Sequence, residues 1–490
     1  MLRWMRAVLL SAFALSQVRA QAGQPRQIAL TRVTIIDPAR DSLLRDATVL
    51  LSGERVVAVG PRRSVAIPRG AQVIDGNGKF LIPGLWDMHV HMAQPLSPGL
   101  ELATNAGYFF PLFIAYGVTG VRDMAGDLST LRAWRDEIAK GTRVGPHLFF
   151  TGEKLGKGPV VAGAPFPLRT RRDIELSVKA LWDSGASFVK LHDIAPDRFS
   201  TLTRDAWLYN LPVVGHVETH HSLRELARAG MRSVEHLDGV LLASSRGEDS
   251  LRRALLQQER ASLWHRALIK ARVRKPIPYP AATMAQAYDG ARADSLFDLL
   301  RQTATWQCPT LHLLGRLYRQ TDPALRLPPD SLLVRDVPNR AHGFADPPFP
   351  ATHPLSTVYA RLAEVVRTMS RRGVGLLAGT DTPGLYAVPG LSLHQELALL
   401  VSAGLTPREA LRAATTGPAD FFEVRDSLGT IREGVFADLI LLDADPLVDI
   451  ANTRRIHAVF ARGRFLDRAA LDRMIAGAAQ VARRIRAAAP

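Results

Sequence analysis

Short apolar runs alternate with longer segments of helical pattern along most of the chain between residues 81 and 379. This alternation is typical of βα units that build a parallel sheet. The candidate strands are 81–88, 117–122, 147–151, 187–191, 212–215, 232–235, 307–311 and 374–379. Eight such units predict an α/β fold, a (β/α)8 barrel of the TIM type over residues 83–425. Functional side chains are then expected at the carboxyl ends of the strands.

The two ends of the chain carry a different pattern. Short β-branched runs separated by Gly, Pro, Asp and Ser occur in 27–82, where they predict an antiparallel β unit, and return in 429–466. We expect both segments to pair into one small β-sandwich domain. Residues 467–490 are rich in Ala and Arg and predict a helical, solvated tail. The proline-rich stretch 323–354 predicts an irregular lid or rim.

The first 20 residues have the pattern of an export signal. Arg3 and Arg6 precede an apolar stretch at 7–15, and small residues before Gln21 predict cleavage after Ala20. The apolar stretch is too short to span a membrane. These features predict a periplasmic or secreted protein without stable membrane insertion, and an N-terminal anchor helix is the alternative.

Composition narrows the chemistry. Cys308 is the single cysteine among 490 residues, so disulfides within the chain and cysteine-based metal sites are excluded and any metal must be held by nitrogen and oxygen. The net charge is +16, but the arginines are spread along the chain without interleaved aromatic residues. We therefore predict no nucleic-acid partner. Lysine is rare, with eight among the 62 basic residues.

Polar residues at the predicted strand ends are the candidate metal ligands. His89 and His91 lie two apart at the end of the first strand, so both imidazoles point to one side and suit zinc. Lys190 ends the fourth strand. A buried lysine loses its proton readily and can then react with carbon dioxide to form a carbamate that bridges two ions. An ion pair between Lys190 and Asp193 is the alternative.

Three further residues complete this set. His216 and His236 end the fifth and sixth strands, about one βα unit apart, and could hold a second ion. Asp381 follows the eighth strand, where a carboxylate can ligate a metal and exchange a proton with the nucleophile. Each residue alone could be a hydrogen-bonded structural residue, but six at matching positions predict a binuclear centre.

The set resembles the amidohydrolase superfamily, in the subtype with two ions and a carboxylated lysine. The motifs that carry the resemblance are IPGLWDMHVH at 82–91, GVTGVRD at 117–123, GTD at 379–381 and GVFADLILLD at 434–443. Segments 394–397 and 404–415 resemble the branch with imidazolonepropionase-like proteins, Xaa-Pro dipeptidases and the amidase that splits ochratoxin. By this resemblance two divalent ions, expected to be Zn²⁺, are held as follows: His89, His91 and Asp381 on one, His216 and His236 on the other, and carboxylated Lys190 on both.

The resemblance implies an exported metal-dependent hydrolase that cleaves the amide bond of dipeptides or N-acyl amino acids, including ochratoxin-like amides. A hydroxide shared by the ions attacks, and Asp381 passes its proton to the leaving amine. Lactone, cyclic amide or phosphotriester hydrolysis at the same centre is the alternative, and a non-hydrolytic binding protein on this scaffold is another. The expected partners are a small-molecule substrate and further copies of the chain in a homo-oligomer.

Substrate contacts are expected in the loops of the active-site face. Many dipeptidase-like relatives carry Gly-Gly-His after the third strand, whereas this chain has Lys154 and Lys157 there. These lysines could bind a substrate carboxylate or belong to a solvated loop, and Arg122 is the next candidate cation. His220 and His221 follow the fifth strand and are further candidate substrate contacts.

Overall fold

The computed structural model of the protein describes residues 27–40, 42–96, 99–259, 280–318, 332 and 355–488. The predicted export signal at 1–20 and nearly all of the predicted lid at 323–354 lie outside these residues. The strands of the described part are β1 (Gln27–Ile35), β2 (Leu44–Ser52), β3 (Arg55–Pro61), β4 (Gln72–Asp75), β5 (Phe80–Pro83), β6 (Leu85–Val90), β7 (Val118–Asp123), β8 (His147–Phe150), β9 (Val189–Leu191), β10 (Val213–Gly215), β11 (Met231–Glu235), β12 (Trp306–Cys308), β13 (Leu439–Leu442), β14 (Ile456–Ala461) and β15 (Arg464–Asp467).

Helices fill most of the segments between β6 and β13. The α-helices of the described part are α1 (Ala103–Ala115), α2 (Leu128–Ala139), α3 (Arg171–Asp183), α4 (Pro196–Leu208), α5 (Leu223–Arg228), α6 (Val240–Ala243), α7 (Glu248–Glu259), α8 (Pro280–Gln286), α9 (Gly290–Gln302), α10 (Leu311–Tyr318), α11 (Ser356–Arg371), α12 (Leu391–Ser402), α13 (Pro407–Ala413), α14 (Thr416–Phe421) and α15 (Arg468–Ala487). Within the described residues, none of the helices has the length and apolar composition needed to cross a membrane.

Strands from both ends of the chain share one large sheet, in the order β15-β14-β13-β5-β1-β2-β3, with β4 beside β1. The ends join where β13 pairs antiparallel with β5, with Ile440 opposite Ile82. The prediction of a purely antiparallel N-terminal unit is wrong, because β4 and β5 both run parallel to β1. The two-layered sandwich remains a prediction. One face of the sheet buries an apolar cluster that includes Leu30, Val49 and Phe460.

The middle of the chain forms two parallel sheets, β6-β7-β8 and β9-β10-β11-β12, with helices between successive strands. The α/β class is therefore confirmed. Backbone hydrogen bonds link the two sheets on both sides: Ser187 N–H donates to Phe150 O (2.7 Å), and Met88 N–H donates to Ala378 O (2.8 Å). Gln307 of β12 forms a parallel bridge with Leu376. These links are consistent with the predicted barrel.

Two predicted strands differ from the structure. The run at 81–88 is divided at Gly84, because Pro83 pairs with Leu439 in the large sheet while Leu85 pairs with Val118. The chain passes so close to Thr119 at this point that a Cβ on Gly84 would lie 2.0 Å from its Oγ1. The run at 374–379 is not a regular strand: it forms an isolated parallel bridge between Leu376 and Gln307, and the N–H of Ala378 donates to Ala413 O (2.8 Å) and not to β6.

The C-terminal helix α15 is not the solvated tail that the composition predicted. Leu471, Ala478, Ala482 and Ile485 are buried, and the helix packs against α1. These residues lie on one stripe of the helix, so the Ala-rich sequence is amphipathic and not uniformly polar.

Side chains from both parallel sheets meet in one buried cluster beneath the candidate site. Trp86 and Met88 come from the first sheet, and Val214 and Cys308 from the second. Cys308 is fully buried, and burial raises the pKa of its thiol. The cluster lies below the carboxyl ends of the strands, so those ends remain open.

Candidate metal centre

The residues predicted as metal ligands lie at neighbouring strand ends and surround a common space. His89 Nε2 is 3.3 Å from Asp381 Oδ1, and His91 Nε2 is 3.2 Å from the same oxygen. The ring of His236 lies 4.5 Å from that of His89 and 5.2 Å from that of His216, measured between centroids. One ligand atom each of His89, His236 and Asp381 falls within a 4.8 Å span.

Each of these four histidines has a polar partner at Nδ1. The Nδ1 distances are 2.9 Å from His89 to Glu235 Oε2, 3.5 Å from His91 to Ala125 O, 2.7 Å from His216 to Asp238 Oδ2 and 2.8 Å from His236 to Thr310 Oγ1. A partner at Nδ1 fixes the ring orientation and leaves Nε2 free to bind a metal. The sequence did not reveal these partners, although Glu235 and Asp238 flank His236 in the chain.

Three of the four histidines, His89, His216 and His236, are held neutral, which suits them to metal binding. Burial lowers the pKa of His236 to about 4 and the pKa values of His89 and His216 well below their ordinary range, with nearby positive charges acting in the same direction on His89 and His216. A neutral imidazole keeps the lone pair that a divalent ion requires.

Asp381 is held as a carboxylate. Burial acts to raise its pKa, but the hydrogen bond and charge of His91 outweigh this and lower it. Its backbone is anchored by a bond from its own N–H to His89 O (2.8 Å). The preceding residue, Thr380, donates through both N–H and Oγ1 to buried Asp87 (3.0 and 2.6 Å). These bonds hold Asp381 beside the histidines.

Lys190 has the surroundings of a reactive amine. Its side chain is buried, and Nζ has no hydrogen-bond partner among the described residues. Burial lowers its pKa to about 8, against the opposing charge of Glu235. The alternative ion pair with Asp193 is not present, since Asp193 Oδ1 lies 2.9 Å from His220 Nε2 instead. An unpartnered amine beside neutral imidazoles and a carboxylate fits a centre in which Lys190 becomes an anionic ligand.

The four histidines and Asp381 line a cleft of about 480 Å³. Its lining includes Lys154 and Lys157 from the loop after β8, and His192, which the sequence analysis did not single out. Burial lowers the pKa of Lys154, and the neighbouring charge of Lys157 contributes. The lining also has an apolar part: Pro95, Leu96, Leu313, Leu317, Pro383 and Leu385.

Arg122 is not placed to bind a substrate. It is fully buried, and its guanidinium donates to Met88 O (2.6 Å), Ser233 Oγ (2.9 Å) and Glu235 Oε2 (2.7 Å). The side chain points into the interior from β7 and neutralises Glu235. The position of Arg122 at a strand end did not reveal that its side chain points into the interior.

His220 and His221 do not line the cleft either. His221 is 3% exposed, and both rings face Asp193 in the loop that follows β9. The structure therefore groups the two histidines with Asp193 and gives no support to the predicted substrate contact.

Comparison with known proteins agrees with the motifs. The model of the amidohydrolase family matches residues 352–466. Adenine deaminase from Desulforamulus reducens is 31% identical over 152 residues, which cover 29% of this chain and 25% of that protein. Imidazolonepropionase from Idiomarina loihiensis is 35% identical over 74 residues, which cover 15% of this chain and 18% of that protein. The chain thus matches a quarter or less of the length of these curated relatives.

Similarity to solved structures extends over nearly the whole chain. Bottromycin amidohydrolase superposes with a TM-score of 0.66 at 23% identity, covering 94% of this chain and 92% of that one. A Xaa-Pro dipeptidase with bound methionine superposes with a TM-score of 0.62 at 18% identity, covering 90% of this chain and 100% of that one. Ochratoxinase from A. niger superposes with a TM-score of 0.62 at 17% identity, covering 91% of this chain and 96% of that one. The family match over 352–466 and this shared fold agree with the resemblance to the amidohydrolase superfamily that the motifs indicate.

Proposed function

We propose that the protein is a metal-dependent amidohydrolase that cleaves the amide bond of dipeptides or N-acyl amino acids. The observation that carries the proposal is the convergence of four imidazoles and Asp381 on one cleft, with the unpartnered amine of Lys190 buried close to His89 and His216. Similarity to a Xaa-Pro dipeptidase, an ochratoxinase and a bottromycin amidohydrolase, each named for action on an amide substrate, supports this reading.

The proposed donor set is that of two divalent ions, most simply Zn²⁺. One ion would be held by His89, His91 and Asp381, and the other by His216 and His236. Lys190 would react with carbon dioxide to form a carbamate, and this carbamate would bind both ions. When bound, such ions lower the pKa of water and polarise the scissile carbonyl. Asp381 accepts the proton of the attacking water and delivers it to the nitrogen of the leaving amine as the C–N bond breaks.

The cleft lining suggests the form of the substrate. Lys154 and Lys157 place two cations on one side, where they can bind a free carboxylate. Leu313, Leu317 and Leu385 offer an apolar wall for an acyl group or an apolar side chain. A dipeptide or an N-acyl amino acid has both features on either side of its amide bond.

Parts of the proposal rest on the sequence alone. The export of the mature chain follows from the pattern at 1–20, and the complete (β/α)8 barrel and the homo-oligomer are proposed on the same footing. Purification from the periplasm with a new N-terminus at Gln21 would support export, whereas a cytoplasmic protein that retains Met1 would contradict it.

Hydrolysis of an N-acyl amino acid and of its methyl amide, which lacks the carboxylate, tests the substrate class. We expect the zinc-loaded protein to prefer the free acid, and Lys154→Ala or Lys157→Ala to lower kcat/KM for the acid about 10- to 100-fold with little effect on the amide. Lys179→Ala is the matched control, since Lys179 is half-exposed and pairs with Asp183 on helix α3. Turnover confined to lactones or phosphotriesters would replace the proposal with the alternative reaction.

A further inference from the structure

A second group of metal-binding side chains lies outside the cleft lining. Asp193 follows β9, and His220 and His221 lie in the turn that follows β10. His220 Nε2 is 2.9 Å from Asp193 Oδ1, and His221 Nε2 is 4.0 Å from the same oxygen. One ligand atom from each residue falls within a 4.8 Å span.

His221 gives an independent indication of a missing ligand. Its side chain is 2% exposed, and its Nε2 has no hydrogen-bond partner among the described residues. Leaving a buried nitrogen without a partner is costly, because the nitrogen has lost its hydration and gained no bond in exchange. A cation between His221 and Asp193 would remove this cost, because the lone pair of Nε2 would then be shared with the ion.

The backbone holds the histidine turn in place without any ion. His221 N–H donates to Glu218 O (2.9 Å), and Arg252 donates to the carbonyls of Thr219 (2.7 Å) and His221. Arg252 is the cation facing the group, and Glu248 Oε1, 2.7 Å from its guanidinium, offsets that charge. The turn is therefore pre-organised, and a metal would not have to order it.

We propose that Asp193, His220 and His221 form a third metal site that binds a divalent transition-metal ion of the Zn²⁺ class. Two imidazole nitrogens and one carboxylate oxygen, with water as the fourth ligand, suit tetrahedral zinc at metal–ligand distances of about 2.0–2.2 Å. Mg²⁺ and Ca²⁺ prefer all-oxygen ligand sets and are poorly matched. The proposal does not rest on the proposed function, because it uses none of the cleft ligands.

An ion at this site would act on the wall of the cleft. Asp193 follows His192, which lines the cleft, and His192 N–H donates to Leu155 O (2.9 Å) beside Lys154. Binding Asp193 to the histidine turn would therefore restrain the loops that carry His192 and Lys154. The third ion would therefore position these two loops and would take no part in bond cleavage.

The test counts zinc bound by the full-length protein. After chelation and titration with ZnCl₂, we expect His220→Ala and Asp193→Asn each to bind one equivalent fewer than the native protein, or to bind it with a Kd raised at least about 100-fold. Both side chains are partly exposed, at 33% and 47%, so both variants should fold. The matched control is His457→Ala, which breaks another His–Asp pair, with Asp443 at 3.2 Å.

The difference in bound zinc between the native protein and each variant identifies the third site, however many ions the cleft binds. Diffraction at the zinc edge should show an anomalous peak between His220, His221 and Asp193 in the native protein and not in His220→Ala. Equal zinc stoichiometry and affinity in the native protein and both variants, with no peak at this position, would overturn the third site. That result would leave the proposed function of the cleft untouched.

Discussion

At the scale of single residues, Glu235 connects the metal centre to the interior. It is fully buried, contacts His89 through Oε2 and accepts hydrogen bonds from Arg122 (2.7 Å) and Ser233 (2.7 Å). Burial acts to raise its pKa, but the charges of Arg122 and Lys190 outweigh this and lower it. Glu235 is therefore an ionised carboxylate that orients His89, and Arg122 makes that buried charge tolerable.

Lys190 is the residue whose replacement tests the binuclear centre most directly. Lys190→Ala removes the amine that would bridge the ions, so we expect bound zinc and activity to be lost together, with kcat/KM at least about 100-fold lower. Acetate or formate should restore part of the activity, since a small carboxylate can occupy the space of the carbamate. Zinc content and turnover of the same samples are measured with and without added acid.

The alanine variant separates two explanations of the buried amine. If Lys190 were only a packing residue, Lys190→Ala would keep two bound ions and full activity, and the bridge would be ruled out. Lys179→Ala controls for the loss of a lysine as such, because Lys179 lies half-exposed in an ion pair with Asp183. That variant should match the native protein in zinc content and in turnover.

The residues that the sequence could and could not identify differ in a physical way. The metal-ligand candidates were found because parallel strands end at one edge, so position in the strand gives position in space. The Nδ1 partners were missed because they depend on packing between elements: Asp238 follows β11 but contacts His216 after β10, and Thr310 contacts His236 from beyond β12. Arg122 was misassigned because strand position does not give the direction of a long side chain.

At the scale of elements, the irregular segment at 374–382 brings Asp381 to the centre. It bonds to β12 through Gly375 and Leu377 and to β6 through Ala378 and Asp381. The sequence predicted a strand here from its apolar run, but the pairing with β6 is interrupted where the N–H of Ala378 donates to Ala413 O (2.8 Å). The run instead forms the close contact at Gly379, and its composition alone could not reveal that contact.

Gly379→Ala tests this close approach. A Cβ at residue 379 would lie 2.6 Å from Cys308 Sγ and 2.9 Å from His89 Cβ, so the segment or β6 must move. We expect a loss of stability of about 1–3 kcal/mol, as in an overpacked core, together with weaker zinc binding because His89 and Asp381 are displaced. Chemical unfolding and zinc titration measure the two effects.

Gly477 is the matched control for that substitution. It lies inside α15 with no atom within 4 Å of a Cβ built there. Gly477→Ala should leave zinc binding unchanged and stabilise the helix by up to about 1 kcal/mol, because alanine is the better helix former. Native zinc affinity in Gly379→Ala would show that the contact with His89 does not position the ligand.

At the scale of the whole molecule, the candidate ligands span both parallel sheets. His89 and His91 belong to the end of β6 in the first sheet, whereas Lys190 and His216 belong to the ends of β9 and β10 in the second. The described backbone links between these sheets are a few hydrogen bonds on each side, and Arg122 and His89 add side-chain contacts to Glu235 of the second sheet. Ions bound to both groups would therefore act as cross-links between the two halves of the central fold.

Removal of zinc should consequently destabilise both sheets together. A ligand at 1,000 times its Kd adds about 4 kcal/mol to stability, so we expect chelation to lower Tm by roughly 5 °C or more and zinc to restore it. Amide hydrogen exchange should accelerate at the carboxyl ends of β6 and of β9 to β11 alike, while the large terminal sheet changes little. In Lys190→Ala the chelator should have a much smaller effect, and His457→Ala should respond as the native protein does. Exchange that accelerates in only one of the two parallel sheets, or a Tm insensitive to chelation in zinc-loaded protein, would show that no ion joins the sheets and would contradict the binuclear centre itself.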